Sequence, residues 1–197
     1  EYLQDKCYIP IMDLVKIFYV LVERDDIGIT SIAIPKKSLE MWDVTLEQME
    51  AIAEENMKRL FPAVITPLGD VMKEQYSLLS DECIEQIQSI EDFNVGMFIL
   101  SNDSGINGAS LMLDKDVLRG FADEHGVDEV ILIPSSLHEC MLVPKGVSAT
   151  LTEKRCFEML HDANLEAVER RDLLSNNIYL YNRKSNIITM CEECEEQ

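Results

Sequence analysis

No stretch of this sequence approaches the roughly 20 consecutive apolar residues of a bilayer-crossing helix. The most apolar run, Leu14 to Val22, is interrupted by Lys16 and closes at Glu23-Arg24, so no membrane association is expected. Residues 1 to 20 also lack the basic start and apolar stretch of a secretory signal. The chain begins at Glu1 rather than Met, which reads as the C-terminal part of a longer protein. Positive charge is scarce: 17 basic side chains stand against 37 acidic ones, a formal charge of −20 that repels phosphate backbones and argues against direct nucleic-acid binding. Glycine-rich phosphate loops are missing too. Gly105 and Gly108 are followed by no Lys-Ser/Thr, and Asp103 beside them would repel phosphate, so no cofactor is expected.

What is present is ordinary globular material. Hydrophobic residues make up 47% of the 197 and charged residues 27%, enough for a packed core without disulfide staples. The six cysteines (Cys7, Cys83, Cys140, Cys156, Cys191 and Cys194) are spread through the chain, several inside apolar periodic stretches. Reduced, buried thiols and a cytoplasmic location follow as expectations.

Periodicity organises the chain. Val15 to Val22 and Ile27 to Ile34, rich in β-branched and aromatic residues around Glu23-Arg24-Asp25-Asp26, predict a β-hairpin. Thr45 and Gln48 make a capping box before a helical stripe that must end ahead of Pro62. Residues 63 to 94 read as loosely joined helices, on Val71-Met72-Tyr76-Leu79 and Ile84-Ile87-Ile90. Met97 to Leu100 and Ala109 to Leu113 predict a second hairpin around Asn102-Asp103-Ser104-Gly105. Asp114 and Gly126 punctuate a helix, Glu129 to Ile133 and His138 to Val143 a third strand pair, Thr150 or Thr152 the start of another helix, and Ile178 to Tyr181 with Ile187 to Met190 a last hairpin. Short links between neighbouring strands require antiparallel pairing. The expectation is a single α+β domain over residues 1–197, a mostly antiparallel sheet backed by helices, with 63–94 the one place for a subdomain break.

Chemistry-bearing groups are few. Ser135-Ser136-Leu137-His138-Glu139 holds a hydroxyl, an imidazole and a carboxylate, the parts of a nucleophile, base and orienter. If His138 starts a strand, Glu139 points to the opposite face, and the bland alternative is two turn serines and a hydrogen-bonded strand histidine. Cys191-Glu-Glu-Cys194 has the spacing of half a zinc or redox site. Zinc needs four ligands, no second CxxC or HxxxH occurs, and flanking glutamates raise rather than lower thiol pKa values, so an acidic tail is favoured over a metal site. His125 and His161 have no metal-ligand partner at helical spacing. The span 67 to 110 carries eight acids against Lys73 alone, which suits either a solvated face or an imitation of a nucleic-acid backbone.

Three runs, Phe98-Ile-Leu-Ser-Asn102 with Ile106-Asn-Gly-Ala-Ser110, Ile133-Pro-Ser-Ser-Leu-His-Glu-Cys-Met-Leu-Val-Pro144, and Leu174-Ser-Asn-Asn-Ile-Tyr-Leu-Tyr181, stand out together with Leu118-Arg-Gly-Phe-Ala-Asp123, Asp13-Leu-Val-Lys-Ile-Phe-Tyr-Val20 and Ser38-Leu-Glu-Met-Trp42. On these the chain resembles a family of uncharacterised proteins from anaerobic gut bacteria of the Clostridia type, a domain of unknown function. The resemblance implies no activity, cofactor or catalytic residue. Three functions therefore compete: a non-catalytic intracellular binding or accessory domain with a protein partner, a hydrolase centred on Ser135 or Ser136 with His138, and an acidic decoy for a basic nucleic-acid-binding protein.

Overall fold

The computed structural model describes residues 2–25, 28–76 and 96–191, and contacts divide the chain into two compact units, Glu1–Pro62 and Ala63–Gln197. In the first unit, β1 (Tyr8–Ile11) and β2 (Leu14–Ile17) form one antiparallel hairpin, and β3 (Tyr19–Arg24) and β4 (Ile29–Ala33) another, with a bulge between Leu21 and Glu23. The expected arm Val15 to Val22 is thus broken at Phe18, its first residues pairing with β1 and its strand running on through Glu23-Arg24. The β1–β2 hairpin had no clear sequence signal, because Pro10 interrupts the first arm and Met12-Asp13 is an unusual turn, with Met12 at φ +54°. Two helices follow, α1 (Lys37–Trp42) and α2 (Leu46–Leu60). The Thr45 hydroxyl accepts from the Gln48 N–H and the Gln48 side chain accepts from the Thr45 N–H, completing the capping box. Cys7, Phe18, Ile34 and Met49 form this unit's small core. On its rim, Lys16 reaches across to Glu50 at 2.6 Å and Glu54 at 3.0 Å.

The second unit is a six-stranded sheet in the order β10-β9-β7-β8-β6-β5, antiparallel at every pairing. Its strands are β5 (Ala63–Pro67), β6 (Phe98–Asn102), β7 (Glu129–Ile133), β8 (Cys140–Pro144), β9 (Tyr179–Asn182) and β10 (Ile187–Met190). Among the described residues its helices are α3 (Leu68–Tyr76), α4 (Lys115–His125) and α5 (Glu153–Glu166), with a 3-10 turn at Gly108–Leu113. The α+β reading with an antiparallel sheet is what the structure shows.

Three details correct the sequence reading. First, Ala63–Pro67 is an edge strand paired with β6, not part of a loose helical segment. Its β-branched core Val64-Ile65-Thr66 outweighs the flanking prolines, and the edge position tolerates Pro67. Helix α3 follows it as expected, while the pattern at Ile84-Ile87-Ile90 lies outside the described residues. Second, Ala109–Leu113 is not the return strand of a hairpin. Both edges of β6 are taken by β5 and β8, and Asn107, in the left-handed region at φ +55°, starts the 3-10 turn that buries Ala109, Leu111 and Met112. Third, β8 begins at Cys140, so His138 sits in the preceding bend rather than in the strand.

Alternation along the strands sends Ile131, Ile133 and Val143 to one face, where Cys156 and Leu160 of α5 pack with Met97, Leu151 and Ile178. Leu132 faces Leu142 and Leu142 faces Phe98 across the ladder, and the Phe98 ring meets Phe121 of α4 edge-on at 5.1 Å, so α4 covers the opposite face. Both helices start where the sequence indicated: the Asp114 carboxylate accepts from the N–H groups of Asp116 and Val117, and the Thr152 hydroxyl from that of Arg155. Gly126, at φ +65°, ends α4 in the left-handed conformation that glycine adopts at little cost. Tyr179 and Tyr181, both fully buried, satisfy their hydroxyls on Ser175 and Asn186.

Cys7, Cys140 and Cys156 are buried thiols, and Cys191 is half-buried. Burial pushes the Cys140 thiol far above its ordinary range and the Cys156 thiol up to about 12, the latter helped by Glu153 and Cys191. Because the thiolate is the nucleophile, alkylation of the native protein near pH 8 is expected to reach Cys191 first among these four and to leave Cys140 and Cys156 unmodified until the fold opens. Peptide mapping after a timed iodoacetamide pulse reads this directly, and early labelling of Cys140 would contradict the packing.

Candidate functional site

The Ser135–Glu139 bend links β7 to β8 and meets two other loops, the Asn102–Gly108 segment after β6 and the Glu169–Leu173 segment after α5. Each loop is first ordered by its own side chains. Asn102 is buried, donates from Nδ2 to the Ile106 carbonyl at 2.8 Å, and accepts at Oδ1 from the Ser104 N–H and hydroxyl. This Asx turn delivers Asn107 and Gly108 to the bend. In the bend, the Ser135 hydroxyl faces the Glu139 carbonyl at 3.2 Å and the Glu139 carboxylate at 3.4 Å, while the Ser136 hydroxyl accepts from the His138 N–H at 3.1 Å.

The loops are then tied to one another. The Ser101 hydroxyl donates to the His138 carbonyl at 2.8 Å, the Ala109 N–H to the Leu137 carbonyl at 3.4 Å, and the Leu137 N–H to the Asp172 carbonyl at 2.7 Å. The His138 ring lies among them. Its Nδ1 accepts the Asn107 N–H at 3.2 Å, and its Nε2 faces Asp172 Oδ1 at 3.6 Å. A ring nitrogen that accepts a backbone N–H carries no proton, so this pattern assigns the neutral tautomer with hydrogen on Nε2, turned toward the carboxylate. The ring is 40% exposed and the Asp172 side chain 24%.

The structure thus gathers all four sequence candidates, Ser135, Ser136, His138 and Glu139, at one surface bend, with the serine hydroxyls bonded within the bend and the imidazole nitrogens directed to Asn107 and Asp172. Sequence reasoning missed Asp172. It lies in Arg170-Arg171-Asp172, which carries no motif, and only the fold brings it 34 positions back along the chain to His138. Asn107 was findable, since Asn-Gly is a dipeptide that accepts left-handed backbone. Cys191 closes the β9–β10 pairing through its N–H to the Ile178 carbonyl at 2.9 Å, whereas Cys194, the other half of the candidate metal or redox pair, lies outside the described residues. Among the described residues, no three His, Cys, Asp or Glu side chains are grouped so as to hold a metal ion, and no helix is long and apolar enough to cross a membrane.

At the far end of the sheet an ion-pair network fastens the strand ends. Arg183 bridges Asp123 at 2.7 Å and Asp128 at 2.8 Å, Lys184 meets Asp128 at 2.6 Å, and Lys145 joins Glu129 to Glu153 at 2.9 and 2.7 Å. Lys184 and then Arg183 hold the Asp128 carboxyl below its usual range, and Lys145 does the same for Glu129. Three cations here face four carboxylates, each of them in an ion pair.

A family model spans residues 1–183, and so takes in the first unit, the second as far as the end of β9, and the whole three-loop site. The chain belongs to DUF5688, a family of unknown function. No curated protein and no solved structure matches it. Membership in DUF5688 agrees with the resemblance to a domain of unknown function and assigns no residue a role.

Proposed function

We propose that the chain is a non-catalytic intracellular binding or accessory domain that acts on a protein partner. One observation carries this reading: the groups at the Ser135–Glu139 bend that resemble catalytic parts are employed in structure, the serine hydroxyls within the bend and the His138 ring between Asn107 and Asp172 of the two neighbouring loops. The Ser136 oxygen accepts a backbone N–H, the His138 Nδ1 lone pair that a general base would use accepts another, and the His138 carbonyl takes the Ser101 hydroxyl. A base must have a free lone pair within reach of the proton it removes, and a nucleophile must face open space in which a substrate carbonyl can sit. The buried, protonated thiols of Cys140 and Cys156 support the intracellular setting, and the resemblance supports an anaerobic bacterial host.

The competing hydrolase reading makes the opposite forecast for the same residues. Ser136→Ala is expected to lower unfolding stability by about 1 kcal/mol through loss of its hydrogen bond. Hydrolysis of short-chain nitrophenyl esters by the wild-type protein is expected to stay at the rate of a Ser135→Ala/Ser136→Ala double variant. An ester-hydrolysis rate that the double substitution abolishes would overturn the proposal.

A further inference from the structure

The first unit leaves a strand edge open. Among the described residues, β3 and β4 form a two-stranded sheet that is tied to the rest of the unit just past β4, where the Cys7 N–H donates to the Ile34 carbonyl and the Lys36 N–H to the Asp5 carbonyl. A two-stranded ribbon by itself is marginally stable in water. Much of this ribbon is uncovered: Val20, Val22 and Ile32 are 42%, 57% and 62% exposed, and Val20 stands directly opposite Ile32. Natural edges are blunted by lysine, proline, an inward charge or a bulge. Strand β4, Ile29-Thr30-Ser31-Ile32-Ala33, has no charged residue and no proline, and the bulge lies in β3.

The charges sit at the two ends of that strand and have opposite sign. Asp25 marks the tip, with its carboxylate accepting the Gly28 N–H at 3.0 Å, while Lys36 and Lys37 follow Pro35 at the other end. The Lys36 ammonium is held in its own chain, on the Gln4 carbonyl and over the Tyr8 ring, so an antiparallel neighbour of the same sequence would bring the Asp25 end of each copy toward the Lys37 end of the other, with an uncharged ladder between them.

We propose that the outer edge of β4 pairs with β4 of a second copy of this chain, antiparallel about a two-fold axis at Ser31, to make a four-stranded sheet β3-β4-β4-β3. The register follows from hydrogen bonds already present. The Ile34 N–H donates to the Phe18 carbonyl, so by alternation Ile32 turns its N–H toward β3 while Ser31 and Ala33 turn theirs outward. Ser31 then lies opposite Ser31 of the second copy, Ile29 opposite Ala33, and Thr30 opposite Ile32. The two-fold operation is self-complementary, and no like charges face each other in the ladder. Each Ile32 comes beside the other copy's Thr30 on the face that holds Val20, widening the apolar row. Five-residue strands bury far less than the roughly 1,600 Å² of a standard interface, so the association is weak and concentration-dependent.

Sedimentation velocity on the whole chain over a wide concentration range tests this. The expected result is a reversible monomer–dimer equilibrium whose dissociation constant rises roughly tenfold or more in Ser31→Pro, which removes the outward N–H, and in Ile32→Lys, which blunts the edge. Ile32 is exposed, so Ile32→Lys should keep the wild-type thermal midpoint and serves as the folding control for Ser31→Pro. Asp25→Lys should weaken the dimer and the added Lys37→Asp should restore it. A chain that stays monomeric throughout, or a dimer indifferent to both edge variants, would overturn the proposal.

Discussion

Replacing Gly108 with alanine is expected to destabilise the protein by about 3 kcal/mol or more, the upper end of the overpacking range. A Cβ at this buried position would press on the Ser101 hydroxyl and lie 2.6 Å from the His138 carbonyl oxygen and 2.8 Å from the Asn102 nitrogen. Two of these three are backbone atoms that cannot rotate away, and the third is the hydroxyl that donates to the His138 carbonyl. The methyl would therefore force apart the junction of the Asn102–Gly108 loop and the Ser135–Glu139 bend. Urea denaturation followed by circular dichroism measures the effect. Gly120→Ala is the matched control, because a Cβ there meets nothing within 4 Å and helix α4 should gain from alanine. A Gly108→Ala midpoint equal to wild type would mean that the loops are not packed as described.

Leu160→Ala is the second large effect, with an expected loss of about 2–5 kcal/mol. Leu160 is fully buried on α5 and packs in the cluster with Ile131, Ile133 and Val143 of the central strands. Rigid strands below it and the helix backbone above limit collapse into the cavity, which favours the upper half of that range. Leu165, on the same helix but 71% exposed, supplies the comparison: Leu165→Ala should change stability by less than about 0.5 kcal/mol. Equal losses for the two substitutions would contradict the placement of α5 on the sheet.

Where local chemistry decides conformation, the sequence was legible. The Thr45–Gln48 box, the Asp114 and Thr152 caps and the Gly126 terminator each act within one helical turn, and each appears where its residues stand. The strand pairs β3–β4, β7–β8 and β9–β10 were equally clear, because apolar arms flank polar turns. What failed were segments whose state is settled by distant neighbours. Val64-Ile65-Thr66 is a strand because β6 offers it an edge, and Ala109–Leu113 is a 3-10 turn because that edge and its opposite are already filled. The candidate site shows the same division. Ser135 to Glu139 could be picked out by residue type, but what their atoms do depends on Asn107 and Asp172, which arrive from other loops and carry no local signal of His138.

The role proposed for His138 is that of a pin between loops and not of a base. Long-range proton–nitrogen correlation spectra of the imidazole at neutral pH, assigned by comparison with His138→Gln, address it most directly. A single neutral tautomer is expected, with hydrogen on Nε2 and a hydrogen-bonded, unprotonated Nδ1. A ring protonated at Nδ1, or one exchanging freely between tautomers as in an unrestrained side chain, would contradict it.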